Sequence, residues 1–244
     1  VEKYNRLTPD KPRFIAGSIG PTTKQTAIST KPDDPAFRGA TFQELEDSYY
    51  QQVKELVEAG VDLLLPETAI DTLNLKSCLF AIDRYFKETG KSIPVMISAS
   101  FGKGGDTFVS GQKVEAFWYA VSHFPMFSVG MNCSLGPDLM RPNLKAMSEV
   151  ATSLISCHPN AGLPNAMGQY DLTPEEMATM VREFAESGWL NVIGGCCGTT
   201  PDHIRAIAQA VDGIAPRQPK SAESRTCLSG VEPLVMREDS NFLM

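Results

Sequence analysis

Six short apolar runs recur along the chain, and each is followed by a stretch whose apolar residues have helical spacing. Strands that are covered on both faces read as continuous apolar runs, whereas amphipathic helices repeat apolar positions every three or four residues. The alternation therefore predicts six βα units around a parallel sheet. The predicted strands are Arg13 to Gly17, Val61 to Pro66, Pro94 to Ser98, Phe127 to Asn132, Leu154 to Ser156 and Leu190 to Ile193.

Capping residues and glycines mark where the predicted helices begin and end. Thr41 with Glu44, and Thr173 with Glu176, have the spacing of a capping box. Glycine is the commonest residue just past the end of a helix, where the backbone turns left-handed. We expect helices at Thr41 to Gly60, Asp71 to Thr89, Lys113 to His123, Pro137 to Ala151, Thr173 to Gly188 and Thr200 to Gly213.

Two architectures have this order of elements, an open doubly wound sheet and a closed barrel. No G-x-G-x-x-G motif follows the first strand, which weighs against a dinucleotide-binding sheet. Barrel enzymes gather their chemistry at the carboxyl ends of many strands. We therefore expect an α/β fold, a (β/α)8 TIM barrel that is incomplete, with about six βα units present. The polar residues at predicted strand ends are Glu67, Ser98, Asn132, Cys133, His158, Asn160, Cys196 and Cys197.

The βα pattern ends after Gly213. Residues Ala215 to Arg225 are rich in proline, serine and charge, which is typical of a linker. Thr226 to Met244 is too short to form a domain. We therefore assign residues 1–214 to the barrel, 215–225 to a linker and 226–244 to the beginning of a following segment.

Composition narrows the class of protein. The formal net charge of −7 disfavours nucleic acid and anionic membranes as partners, because both attract basic surfaces. No apolar run reaches 18 residues, and Val1 to Pro12 lacks the apolar centre of a signal peptide. Six cysteines without the spacing of a small disulfide-rich domain indicate a reducing compartment. We expect a cytoplasmic protein.

Two adjacent cysteines, Cys196 and Cys197, stand between glycines where the sixth strand turns into a helix. Neighbouring side chains on a regular strand point to opposite faces, so both thiols reach one point only if the backbone leaves the strand conformation. Glycine permits that departure. A shared metal ion, with Zn²⁺ the usual choice for sulfur ligands, is one interpretation. A pair of buried small hydrophobes or a vicinal disulfide is the other.

We expect Cys133 to be the third sulfur ligand, because it ends its own strand as the cysteine pair does. Cys157 is the competitor, also at a strand terminus. Cys78 lies in a predicted helix among apolar residues and fits a core position better. No role is assigned to Cys227.

Five segments carry a resemblance to a known family: Gly17 to Thr22, Pro66 to Leu73, Met131 to Pro137, His158 to Asn165 and Gly194 to Pro201. Over residues 13 to 213 the chain is similar to the homocysteine-binding zinc barrel of cobalamin-dependent methionine synthases, within the homocysteine S-methyltransferase family. The stretch from residue 227 to 234 resembles the joint that leads into the folate-binding barrel of those enzymes. The resemblance implies transfer of a methyl group from methylcobalamin to homocysteine, forming methionine.

The resemblance also implies roles for particular residues. Cys133, Cys196 and Cys197 match the three catalytic zinc thiolates. Glu67 matches the acid that holds the substrate's α-amino group, and Asn160 is a candidate to offer its amide oxygen to zinc while substrate is absent. Two further residues are expected to support the site, Asn132 beside the substrate and the neighbouring sulfur, and His158 through hydrogen bonds or loop packing.

A full barrel of this kind has two further βα units at its beginning, and the resemblance implies that they are missing here. The resemblance implies that the folate and cobalamin modules lie outside this chain as well. We therefore expect this chain alone to bind zinc poorly and to turn over little or nothing. Two other functions stay open: methyl transfer to homocysteine from betaine or S-methylmethionine, and a non-catalytic metal-binding module.

Overall fold

A computed structural model describes residues 1–221 and 225–241. All six predicted βα units are present, and a short helix and a hairpin are added at the two ends. In chain order the elements are α1 (Glu2–Leu7), β1 (Ala16–Ile19), α2 (Phe42–Glu58), β2 (Leu63–Pro66), α3 (Thr72–Thr89), β3 (Met96–Ala99), α4 (Val114–Val121), β4 (Ser128–Asn132), α5 (Pro137–Val150), β5 (Leu154–His158), α6 (Pro174–Glu186), β6 (Val192–Ile193), α7 (Pro201–Val211), β7 (Cys227–Ser229) and β8 (Pro233–Val235).

The strands β1 to β6 lie side by side in chain order and all pair in parallel. β1 pairs with β2, and β3, β4, β5 and β6 form a continuous run. A parallel bridge between Leu64 and Val95 joins the two groups. A doubly wound sheet reverses its strand order at a switch point, whereas a barrel keeps it. The observed order therefore supports the predicted barrel arrangement of parallel βα units.

The core lies between the strands and the helices that cover them. Large apolar side chains from α3, α4, α5 and α6 are fully buried there, and the rings of Phe101 and Phe117 meet edge to face with centroids 5.6 Å apart. Burying a side chain of this size stabilises the fold by about 1.5–3 kcal/mol. Cys78 is buried in this core, as the sequence predicted. The largest fully buried side chains on these helices include Leu79, Ile82, Phe117, Leu144 and Phe184.

The two predicted capping boxes are confirmed. Thr41 accepts a hydrogen bond from the Glu44 backbone N–H, and the Glu44 carboxylate accepts one from the Thr41 N–H. Thr173 and Glu176 repeat the arrangement at the start of α6. Both helices therefore begin where local sequence alone places them.

Strand ends differ from the prediction on either side of the fifth unit. β5 continues to His158, because pairing with β4 extends to Asn132 opposite His158. β6 is only Val192–Ile193, since the glycines that follow leave the strand conformation. The longer β5 places Cys157 inside the strand, buried, with its Sγ 3.8 Å from Sδ of Met140 on α5. Cys157 therefore faces the helices.

The ends of the chain pack more closely than their composition suggested. α1 was not predicted, and Asn5 ties it to Arg13 through two hydrogen bonds. In the predicted linker, Arg217 is buried and its guanidinium donates to the carbonyls of residues 148, 151 and 153. The β7–β8 hairpin packs on α4, where Ser229 donates to the Ala116 carbonyl over 2.6 Å. In the part of the chain that the structure describes, no helix combines the length and apolar character needed to cross a bilayer.

Candidate metal centre

The structure brings three cysteines from remote parts of the chain to one point. The Sγ atoms of Cys133, Cys196 and Cys197 all lie within 4.8 Å of one another. Cys133 Sγ is 3.6 Å from Cys197 Sγ, and Cys196 Sγ is 4.0 Å from the same atom. Tetrahedral ligation at a Zn–S length of about 2.3 Å places sulfurs about 3.8 Å apart. The donor set and its spacing therefore fit a zinc ion.

The turn after β4 directs the Cys133 side chain towards the other two sulfurs by adopting an uncommon backbone conformation. Cys133 and Ser134 both have φ of 64°, in the left-handed region that non-glycine residues rarely adopt. Such a conformation costs about 1–3 kcal/mol and persists where the surroundings hold it. Here the Cys133 N–H donates to the His158 carbonyl over 3.1 Å, and the hydroxyls of Ser134 and Ser100 lie 2.5 Å apart. The strain is thus stored beside the sulfur.

Three glycines shape the turn that carries the cysteine pair. A Cβ on Gly194 would lie 2.7 Å from the ring of His158, and one on Gly195 would lie 2.4 Å from the Thr199 side chain. Gly198 has φ of 78°, and a Cβ there would lie 2.4 Å from Tyr170. Contacts this short force a shift, so each of the three positions requires glycine. The turn confirms the prediction that the backbone leaves the strand beside the cysteines.

Asn160 joins the two cysteine-bearing turns. It is buried, its amide oxygen accepts from the Cys197 N–H over 3.1 Å, and its own N–H donates to the Leu135 carbonyl over 3.0 Å. The next N–H, on Ala161, donates to the Cys197 carbonyl over 2.9 Å. The oxygen that the resemblance offers to zinc is therefore engaged here by a ligand's backbone, which makes Asn160 a support for Cys197.

Asn132, at the end of β4, makes its hydrogen bonds on the side of the site where Glu67 lies. Its Nδ2 donates to Glu67 Oε2 over 3.2 Å and to Thr68 Oγ1 over 2.7 Å. Its Oδ1 accepts from Ser98 Oγ over 2.6 Å and from the Thr68 N–H over 2.9 Å. These four bonds use both donors and the oxygen of the amide, and none goes to a sulfur. Ser18 Oγ donates to the second oxygen of Glu67. Asn132 therefore orients the carboxylate, in place of the expected sulfur.

A cavity of about 150 Å³ is lined both by Glu67 and by Cys196 of the cysteine group. Cavities of this size hold a molecule about as large as benzene. Burial lowers the pKa of His158 on its wall, so this imidazole is a neutral group at neutral pH. The lining residues are Leu65, Glu67, Ser98, Asn132, His158, Gly195 and Cys196.

The three sulfurs lie so close together that their ionised forms are unfavourable unless a cation is bound beside them. Burial, followed by the charges of Cys133 and Cys197, raises the pKa of Cys196 to about 12. Three thiolates so close together repel one another, and a bound cation is the usual means of keeping such a group ionised. The site thus has the electrostatics of a metal centre as well as its spacing.

Comparison with known proteins decides the family. The model of the family described as homocysteine S-methyltransferase matches residues 1–211. The chain belongs to the homocysteine S-methyltransferase family.

One solved structure supports the fold of this homocysteine S-methyltransferase domain. The metallated form of the homocysteine methyltransferase MmuM from Escherichia coli matches with a TM-score of 0.62 and 19% identity, over 85% of this chain. The chain spans 65% of the length of MmuM. A rubisco-like protein from Burkholderia fungorum matches at 13% identity over 88% of this chain and 56% of its own, with a TM-score of 0.40. An isomerase from Streptomyces coelicolor A3(2) matches at 10% identity over 91% and 59%, with a TM-score of 0.47. The last two likenesses are too slight to bear on function.

Three residues in or beside this homocysteine S-methyltransferase site were given no role from the sequence. Tyr170, in the loop between β5 and α6, packs against the cysteine turn, with its Cβ and Cγ 2.4 Å from the place of a Cβ on Gly198. Ser18 donates to Glu67 from a different strand. His203 is buried, and its Nε2 lies 2.8 Å from the Leu172 carbonyl. Contacts across elements place all three residues, and spacing along the chain cannot reveal such contacts.

Proposed function

We propose that this chain activates homocysteine as a thiolate, in a zinc-dependent manner, for methyl transfer from methylcobalamin to form methionine. One observation carries the proposal: three cysteine sulfurs converge on one point, and a cavity of about 150 Å³ is lined by one of these cysteines, Cys196, and by the carboxylate residue Glu67. Membership of the homocysteine S-methyltransferase family supports the substrate. Homocysteine has a thiol at one end and an ammonium group at the other, which suits these two walls.

Cys133, Cys196 and Cys197 would hold the metal as thiolates. Zinc, when bound, supplies a Lewis acid that lowers the pKa of a coordinated thiol so that it ionises at neutral pH. The chain's own contribution is to present the three sulfurs without rearrangement. The left-handed turn at Cys133 and the amide of Asn160 on the Cys197 N–H keep them in place.

Glu67 would accept the ammonium group of the substrate. Asn132 and Ser18 each donate to one of its oxygens, which favours the ionised carboxylate and fixes its direction. The neutral His158 ring lines the same cavity and adds no competing positive charge. The substrate is thus oriented by its amino end while its sulfur points to the cysteines.

The choice of methylcobalamin rests on the stretch from residue 227 to 234 and its likeness to the joint before a folate-binding barrel. In this proposal, residues 1–214 are the homocysteine barrel, and residues 226–244 lead towards a folate-binding domain. A cobalamin module outside this chain would present the methyl group. Cys197 is exposed at the mouth, which suits a large donor that approaches from outside.

Donor exchange tests the proposal. Because the chain alone is expected to turn over little or nothing, the assay uses excess zinc and homocysteine and mass spectrometry sensitive enough to detect less than one turnover. Free methylcobalamin should then give only a trace of methionine, and Cys196→Ser should abolish that trace. Methionine formed from betaine or S-methylmethionine without any corrinoid would overturn the choice of donor. Zinc binding with no product from any of the three donors would favour a non-catalytic metal module. Stoichiometric zinc uptake without the excess would contradict the expectation that the chain alone binds zinc poorly.

A further inference from the structure

Two loops meet beside Glu67 at the carboxyl ends of β1 and β2. The first loop is residues 20–40, between β1 and α2, and the second loop is residues 67–71, between β2 and α3. The second loop begins with Glu67 and ends with Asp71. The Glu67 N–H donates to the Ile19 carbonyl at the end of β1 over 3.0 Å. The position of Glu67 is therefore coupled to the place where the first loop begins.

Asp71 is a buried carboxylate that joins the two loops. Its Oδ2 accepts three hydrogen bonds from the first loop, from the Thr26 N–H over 2.7 Å, the Thr26 hydroxyl over 3.0 Å and the Ala27 N–H over 2.9 Å. Its Oδ1 caps α3, because it accepts from the N–H groups of Leu73 and Asn74 over 3.0 and 3.3 Å. All five partners donate, which matches a carboxylate, a group that only accepts.

Asn74 and Tyr49 hold the remainder of this part of the first loop, and both side chains are buried. Nδ2 of Asn74 donates to Thr22 Oγ1 over 2.7 Å and to the Lys24 carbonyl over 3.0 Å. Oδ1 of Asn74 accepts from the Tyr49 hydroxyl over 2.5 Å, and that hydroxyl accepts from the Thr22 N–H over 3.2 Å. Residues 22–27 are thus anchored on α2 and α3.

The anchored loop bears on Glu67 through Ser18. Ser18 lies in β1, just before the first loop, and its hydroxyl donates to one oxygen of the Glu67 carboxylate. Within the described residues β1 is four residues long and has β2 as its only ladder partner. Because a short strand paired on one side is weakly held, the chain that follows it has to fix its carboxyl end. Release of the first loop would therefore displace Ser18, and with it the Glu67 carboxylate.

We propose that Asp71 is a positioning residue for the ammonium group of the substrate: it fastens the first loop to the second and so fixes the direction of the Glu67 carboxylate. The inference rests on the proposed function, in which Glu67 receives that ammonium group. Asp71 does not line the cavity, and its two oxygens are engaged by the five hydrogen bonds. It acts through Ser18 and the Glu67 backbone.

Asp71→Asn releases the loop while the helix stays capped. Asparagine caps a helix about as well as aspartate, so its single oxygen should keep the two N–H groups at the start of α3. Its NH₂ group then meets the N–H groups of Thr26 and Ala27, which are donors that it cannot bind.

Two affinities measure the consequence. With zinc supplied in excess, Asp71→Asn should bind homocysteine about tenfold more weakly in calorimetric titration, which corresponds to about 1.4 kcal/mol, because a misdirected Glu67 loses most of one charge-assisted hydrogen bond. Zinc affinity, from chelator competition, should stay within about twofold, since the turns after β4 and β6 hold the sulfurs. A purely structural defect would lower both affinities together.

Asp62→Asn is the matched control. Oδ2 of Asp62 accepts from the Ile15 N–H over 2.6 Å, at the end of the β1–β2 pair remote from the site. The same chemical change there should leave both affinities within about twofold. Thr26→Val keeps the size of the side chain and removes one of the three loop bonds to Asp71, so it should weaken homocysteine binding by about threefold.

Hydrogen exchange followed by mass spectrometry tests the coupling without any ligand. In Asp71→Asn, amides of residues 20–28 and of residues 67–70 should exchange faster, whereas residues 131–136 and 194–199 around the sulfurs should be unchanged. Asp62→Asn should not accelerate either loop.

Faster exchange in residues 20–28 alone, with homocysteine affinity unchanged, would show that Asp71 secures the first loop and does not position Glu67. Equal losses of zinc and homocysteine affinity would show general loosening, and either result overturns the inference. Failure of the unsubstituted protein to bind homocysteine with zinc present would overturn the proposed function, and the role towards an ammonium group with it. The exchange of residues 67–70 would still decide whether Asp71 fixes Glu67, so the two failures are distinguishable.

Discussion

The two walls of the site, one made of sulfurs and one made around a carboxylate, are held in place by different means. The sulfur wall, which consists of Cys133, Cys196 and Cys197, is held by backbone geometry: left-handed residues and glycines without room for a Cβ. The carboxylate wall, which consists of Ser18, Glu67 and the Asn132 that orients it, is held by side-chain hydrogen bonds. Metal ligands demand fixed distances, and backbone geometry supplies them. A carboxylate that binds a flexible ammonium group needs less exact positioning, so side-chain hydrogen bonds are sufficient to hold it.

Removal of a sulfur should have the largest effect. We expect Cys133→Ser to weaken zinc affinity by more than about a hundredfold, because even the outer partners of a metal ligand are worth 10–100-fold. Zinc affinity is measured by competition with a chelating dye. Cys227→Ser, a cysteine outside the group, is the control and should bind zinc as the unsubstituted chain does. Equal affinity in the two variants would remove Cys133 from the site.

Damage to the backbone of the sulfur wall comes next. Gly198→Ala places a methyl group 2.4 Å from Tyr170 at φ of 78°, so we expect a loss of about 2 kcal/mol in the free energy of unfolding, together with weaker zinc binding. Gly188→Ala is the matched control, since its φ of 67° is similar but a Cβ there meets nothing within 4 Å. Urea unfolding of both variants separates the steric contact from left-handed strain. Equal losses would show that strain alone accounts for the effect.

The difference between the walls also explains what the sequence could predict. The strands and helices follow from apolar spacing and from capping boxes such as Thr173 with Glu176, because both are local patterns. The sulfur wall was predictable because its pattern is also local: glycines within a few residues of the cysteines indicate a turn. Its third member, Cys133, followed from its place at a strand end. Cys157 was separated from it only by the extra length of β5.

The carboxylate wall could not be predicted in this way. Asn132 bonds to Thr68 across 64 residues of chain and to Ser98 across 34, and such partners have no spacing to recognise. Tyr170 likewise packs against Gly198 from the loop between β5 and α6. The packing of the tail on α4 was missed as well, since Ser229 and Ala116 are 113 residues apart. Long-range hydrogen bonds between polar side chains therefore mark the limit of the sequence argument.

A change on the carboxylate wall should be milder and should leave the metal alone. Asn132→Asp replaces an N–H donor to Glu67 by a second carboxylate, so we expect homocysteine to bind about tenfold more weakly. Zinc affinity should stay within about twofold, because Asn132 makes no bond to a sulfur. Calorimetric titration with homocysteine and chelator competition give the two numbers. A loss of zinc as large as that of Cys133→Ser would show that the walls are not independent.

The smallest effect concerns α6, the helix that follows β5. Backbone and side-chain hydrogen bonds from Thr173 lower the pKa of Glu176. A carboxyl group with a lowered pKa in the folded state stabilises the protein at pH values above its unfolded pKa of about 4.3, and this contribution is lost as pH falls further through the folded pKa. Glu176→Gln should therefore lower the urea midpoint slightly at neutral pH and make no difference in acid.

Glu44→Gln is the matched variant on the carboxylate side, because Thr41 lowers the pKa of Glu44 through the same two bonds. Both variants should show the same dependence of stability on pH. They should differ at the site, because α6 begins just after Leu172, whose carbonyl lies 2.8 Å from Nε2 of His203 on the helix that follows the cysteine pair, whereas α2 has no such link. Glu176→Gln should thus weaken zinc binding slightly, measured by chelator competition, and Glu44→Gln should not. An equal loss in both would mean that the site responds to overall stability, and the sulfur wall would then not be locally supported.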